Sequence, residues 1–138
     1  MSTANDVSPE DLGRCTWLFL HTLAAQYPES PTARQEKDAK DLIGILTRLY
    51  PCADCARHFA DIVSRHPPDV SNGLAFEKWL CTTHNEVNLR LDKEQFDCTL
   101  IHTRWRGLEF SETNNACSAG GENGSGMNKT RRRRRLGA

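Results

Sequence analysis

Apolar side chains recur along this chain at the three- and four-residue steps of an α-helix, and no stretch keeps up strand alternation. Leu12, Phe19, Leu20 and Leu23 follow the start signal Ser8-Pro9-Glu10-Asp11. There Ser8 can cap, Pro9 suits the first helical position, and the two acids meet the positive end of the dipole. This helix is expected to reach about Gln26, ahead of Pro28. Thr32 and Gln35 form a capping box that opens a second helix, with Leu42, Ile45, Leu46 and Leu49 as its apolar stripe and Tyr50-Pro51 as its end. A third begins at Cys52, carries Phe59, Ile62 and Val63, and stops at His66-Pro67-Pro68. A fourth runs from about Leu74 to Leu91 with Phe76, Trp79, Leu80 and Val87 inside. Asp97 can cap a last short helix through Leu100, Ile101 and Trp105. The expected fold is all-α: an antiparallel four-helix bundle plus a short fifth helix.

Composition divides the chain into parts. Residues 1–8 read as a flexible polar N-terminus and 9–110 as the folded domain. Residues 111–138 hold only Met127 and Leu136 as large apolar residues and read as a disordered basic tail. The chain of 138 residues suits one domain. Its formal charge of zero hides an asymmetry, because the first 110 residues carry 12 basic and 16 acidic side chains. That balance argues against a nucleic-acid-binding domain. No run approaches the length of a membrane span, and the N-terminus lacks the pattern of a secretory signal or an Arg-rich presequence. Arg131 to Arg135 matches a nuclear-targeting patch, against which stands the plainer reading of a solvated tail.

The candidate chemistry centres on cysteine. Cys52-Ala53-Asp54-Cys55 opens a helix, where the two sulfurs are within disulfide reach and the helix N-terminus favours a thiolate. Cys81-Thr82-Thr83-His84 adds a C-x-x-H, so the four residues also match a zinc ligand set, and the spacing leaves both readings open. The position of Cys81 and His84 inside an apolar helix favours redox. Sixteen residues separate Cys81 from Cys98, and either a disulfide or two buried thiols fits. On the first helix Arg14, Trp17 and His21 share a face, as do Cys81, His84 and Asn88 on the fourth, with Asn85 beside them. Cationic and donor groups among aromatic plates suit a planar ligand bearing phosphates.

These residues carry a family resemblance. Leu12-Gly13-Arg14-x-Thr16-Trp17 with His21-Thr22-Leu23-Ala24-Ala25 resembles the opening motif of the Erv/ALR sulfhydryl oxidases. Tyr50-Pro51-Cys52-x-x-Cys55-Ala56 resembles their active-site segment. Trp79-Leu80-Cys81-x-x-His84-Asn85-x-Val87-Asn88, Phe96-Asp97-Cys98 and Arg104-Trp105 resemble the flavin clamp, structural disulfide and closing motif. The likeness covers about residues 11–106.

The resemblance implies FAD held noncovalently at the mouth of the bundle, a homodimer, and no catalytic metal. Cys52 and Cys55 would be the catalytic pair. Cys55 would lie against the flavin, with Cys52 the more accessible sulfur that exchanges with a dithiol substrate. Cys81–Cys98 would be the structural disulfide. Gly13, Thr16, Trp17, His21, Tyr50, Cys81, His84, Asn85, Val87, Asn88, Leu91, Lys93 and Trp105 would line the cofactor, and Arg14 and Arg104 would meet its pyrophosphate or ribose side. A dithiol protein or a disulfide-relay import oxidoreductase would be the partner, and oxygen or cytochrome c the electron acceptor. The mitochondrial intermembrane space would be the location.

Two departures stand out. Asp92-Lys93 occupies a position where the family tends to have Gly-Lys. Phe110 stands about where plant-like members begin a second, shuttle cysteine pair, and Cys117 is the one cysteine after it. The expectation is an oxidase core that handles small dithiols better than folded proteins. Cys15, in a variable slot of the opening motif, is expected to be a small helix residue, with pairing to Cys117 as the alternative.

Overall fold

The structure is a computed structural model, and it describes residues 6–101. Four helices follow in order: α1 Pro9–Ala25, α2 Ala33–Leu49, α3 Ala53–Arg65 and α4 Gly73–Arg90, then a 3₁₀ turn at Cys98–Leu100. The tail after residue 101 and the remainder of the expected fifth helix lie outside the described residues, as do Arg104, Trp105 and Cys117.

Local chemistry sets the helix starts. Ser8 Oγ accepts from the Asp11 backbone N–H at 3.1 Å, and the Thr32/Gln35 box closes with bonds of 3.1 and 2.9 Å. Asn72 caps α4 by accepting from Ala75 N–H at 2.8 Å, which places the start just ahead of the apolar run that announced it. Gly73 follows for a steric reason. A Cβ there would stand 2.7 Å from the carbonyl oxygen of Tyr27, so α4 can approach the end of α1 only with a glycine at this point.

α1 packs on α4 and α2 on α3, and α3 meets α4 along one edge. The core joins Leu20 and Ala24 of α1, Ala39 and Ile43 of α2, Phe76, Trp79 and Leu80 of α4, and Val70 from the α3–α4 connection. Two polar ties hold that connection: Tyr27 Oη donates to Val70 O and Trp79 Nε1 to His66 O, both at 2.9 Å.

The expected apolar stripes were partly misassigned. On α2 the inward set is Ala39, Leu42, Ile43 and Leu46, while Ile45 is exposed and Leu49 is 75 % exposed. The cause is helix register: Ile45 lies about 200° around the axis from fully buried Ile43. Phe19 on α1 likewise faces out, 56 % exposed.

Candidate functional site

The site is built where α1 and α4 run side by side. His21, only 4 % exposed, and His84 meet through a hydrogen bond of 2.9 Å between Nε2 and Nδ1. Trp17 lies one turn before His21 and stacks on the His84 ring, with centroids 4.1 Å apart and planes 6° from parallel. The predicted pairing of the two helix faces is therefore real. The long sequence separation of these rings is bridged by the α1–α4 packing alone.

Two further helices close on this cluster. Thr16 Oγ1 donates to Leu12 O at 2.8 Å and lies 3.4 Å from Tyr50 Oη, which ties the α2 end to α1. Phe59 of α3 meets Trp17 edge-on at 6.4 Å. Sequence reasoning treated Phe59 as core and passed over His58. The available signal was their position three and four residues after Cys55, on the face Cys55 shares.

Cys52 and Cys55 are joined as a disulfide at the start of α3, as are Cys81 and Cys98 between α4 and the 3₁₀ turn. Cys81 is thus engaged with Cys98 rather than offered with His84 as a metal ligand. Among the described residues no cluster of three or more His, Cys, Asp or Glu side chains is placed to hold a metal ion. The accessibility of the first pair is the reverse of what the resemblance implied: Cys55 is exposed and Cys52 is half-buried. Cys52 is drawn in because it is the N-cap, its N–H bonded back to Tyr50 O at 2.8 Å. Cys55 sits on the first turn of α3.

The remaining predicted residues fall into groups. Asn85 holds the segment before Cys98, its amide exchanging two 2.8 Å bonds with the Phe96 backbone. Val87 and Asn88 are half-buried further along α4, whereas Leu91 and Lys93 are exposed at its end. Arg14 pairs with Asp11 at 3.2 Å on the outside of α1. Asp92 has φ 54°, the left-handed conformation that glycine supplies freely. Its N–H reaches Leu89 O at 3.3 Å, and Lys93 N–H reaches Asn88 O at 2.8 Å. These two bonds form a Schellman C-cap, so the turn survives the Gly-to-Asp departure, because aspartate tolerates this region better than most residues.

The donor set fits a flavin nucleotide. Flat aromatic surfaces stand beside imidazole and hydroxyl donors, and Phe59 joins them to the helix that begins at the disulfide. Gly13 on α1 borders open space, since a Cβ there would meet no atom of the described residues within 4 Å. A helix gives up about 1 kcal/mol by using glycine instead of alanine. No packing neighbour explains that choice.

Comparison with known proteins agrees with this geometry. Residues 14–106 match the family model described as Erv1 / Alr family. The chain is 52 % identical over 106 residues to an FAD-linked sulfhydryl oxidase ERV1 of Arabidopsis thaliana, covering 77 % of this chain and 56 % of the relative. It is 41 % identical over 122 residues to the protein of that name in Oryza sativa subsp. japonica, covering 88 % and 62 %. The chain thus spans 56–62 % of the length of these plant relatives. Among solved structures, the yeast Erv1 core superposes with a TM-score of 0.73 at 35 % identity, covering 77 % of this chain and 90 % of that one. The FAD binding domain of Erv1 from Saccharomyces cerevisiae gives 0.71 at 37 % identity, covering 73 % and 96 %.

Proposed function

Because the chain belongs to the Erv1 / Alr family, we propose that it is an FAD-linked thiol oxidase that makes disulfides in substrate dithiols. The observation that carries this reading is a disulfide at the start of α3, the helix whose Phe59 meets Trp17 of the stacked Trp17–His84 pair.

Cys55 shares a face of α3 with Phe59, which meets Trp17, so Cys55 is the sulfur on the side of the aromatic plates. Cys52, half-buried at the N-cap, is then the sulfur the incoming thiol has to reach, although Cys55 is the more exposed of the two. A substrate thiolate attacks Cys52 Sγ, the Cys52–Cys55 bond breaks, and Cys55 departs as a thiolate. The helix N-terminus stabilises that charge. The second substrate thiol then displaces Cys52, leaving a substrate disulfide and a reduced Cys52–Cys55 pair. Bound FAD supplies the two-electron acceptor that reoxidises this pair and passes the electrons on to oxygen, giving peroxide, or to cytochrome c. Trp17, His21, His84, Val87 and Asn88 hold and orient the rings, Tyr50 and Thr16 close the α2 side, and Arg14 with Lys93 reaches the phosphate and ribose side.

Relatives named mitochondrial support a mitochondrial location, and the intermembrane space is the compartment that belongs to our reading. No helix among the described residues is long and apolar enough to cross a membrane. The purified chain is expected to be yellow, to bleach with dithiothreitol and to release peroxide. A colourless protein that binds stoichiometric zinc would overturn the reading.

A further inference from the structure

His58 follows Cys55 by three residues on α3. Residues so spaced share a helix face, with about 5–6 Å between their Cβ atoms. Helical side chains also lean toward the N-terminus, the direction in which Cys55 lies from His58. The ring is half-buried at the edge where α3 meets α4. That edge is fixed by ion pairs: Arg65 bonds Asp61 at 3.0 Å and Glu86 at 3.1 Å, and Glu86 also lies 3.5 Å from His66.

We propose that His58 is the proton acceptor for the Cys55 thiol each time the reduced Cys52–Cys55 pair closes again. Closing the pair breaks two S–H bonds and forms one S–S bond. A bound isoalloxazine would accept the electron pair together with one proton from solvent, while the Cys55 proton passes to the His58 imidazole and then to water and the Cys52 proton passes to solvent. The inference rests on the oxidase reading, which supplies the acceptor.

The environment suits an imidazole that is uncharged near neutral pH. Partial burial lowers the His58 pKa below its usual value, and the Arg90 guanidinium across on α4 lowers it further. Asp61 on the same helix and Glu86 on α4 oppose the shift, and Arg65 adds to it. A neutral ring keeps a lone pair free for the thiol proton.

The test uses the full chain with Cys15, Cys52 and Cys117 replaced by serine, so that Cys55 is the reporter thiol and Cys81–Cys98 stays closed. The ¹³Cβ shift of Cys55 is followed against pH by NMR, beside the ¹³Cε1 shift of His58. Coupled groups give two inflections in the cysteine curve, one at the His58 midpoint. In His58→Gln the lower inflection should vanish, and kcat of the otherwise wild-type enzyme should fall about 10- to 100-fold. Arg90→Gln should move the His58 midpoint and the acid limb of the kcat profile together to higher pH. A single cysteine inflection that neither His58→Gln nor Arg90→Gln alters overturns the proposal. A chain that binds no FAD but keeps the coupled titration overturns the oxidase reading while the His58–Cys55 pairing stands.

Discussion

His21 and His84 share one hydrogen bond of 2.9 Å across the α1–α4 contact. One imidazole nitrogen must donate and the other accept, so the bond fixes complementary tautomers on two rings far apart in sequence. Together with the Trp17 stack it sets the spacing of the two helix faces to which we assign the cofactor. His21→Leu keeps much of the buried volume and removes the bond. It should destabilise the fold by about 1–2 kcal/mol. It should also lower the FAD-to-protein absorbance ratio of purified material.

The two disulfides should respond oppositely to removal. Cys81→Ser with Cys98→Ser opens a link of sequence separation 17 between α4 and the 3₁₀ turn. A loop of that size accounts for about 3 kcal/mol in the chain-entropy model. Thermal unfolding should shift down sharply. Cys52→Ser should leave the unfolding midpoint nearly in place and abolish dithiol-dependent peroxide release.

Asp92 stands in the left-handed region at φ 54°. Glycine adopts that conformation without the clash a Cβ creates. Asp92→Gly should therefore raise stability by about 0.5–1 kcal/mol. That corresponds to a few degrees in Tm for a domain of this size. A lower Tm would show that the aspartate contributes more than its backbone costs.

Asp97 caps the 3₁₀ turn, accepting from Thr99 N–H at 2.9 Å and from Thr99 Oγ1 at 2.7 Å. The backbone bond first, then the hydroxyl bond, holds its carboxyl below the usual carboxylate range. A folded pKa below the unfolded value means stability that is present above the ordinary carboxylate pKa, near about 4. It is lost as pH falls through the folded value. The acid limb of a Tm–pH curve should flatten in Asp97→Ala, and an unchanged limb would assign the acid loss to other carboxylates.

Much of the fold was legible because its determinants are local. Ser8, Thr32 and Gln35 cap through atoms three residues away, and Pro28, Pro51 and Pro67 end helices by their own geometry. The α2 stripe was less legible because two sets of leucines and isoleucines both fit helical spacing. Burial of Ile43 rather than Ile45 depends on where α3 lies. The Asp92 turn was equally hidden, since a side chain that tolerates positive φ does not announce that it adopts it.

The sequence by itself determined an all-α chain, a cysteine pair at a helix start, and residue types suited to a planar ligand bearing phosphates, because helical period, capping and thiol chemistry act over a few residues. Only the tertiary structure decided that His21 bonds His84, that Asn85 holds the Phe96 backbone, and that Phe59 meets Trp17 edge-on. Those contacts join residues from 11 to 63 positions apart. They form only when the packing of buried apolar surface sets the distance between whole helices.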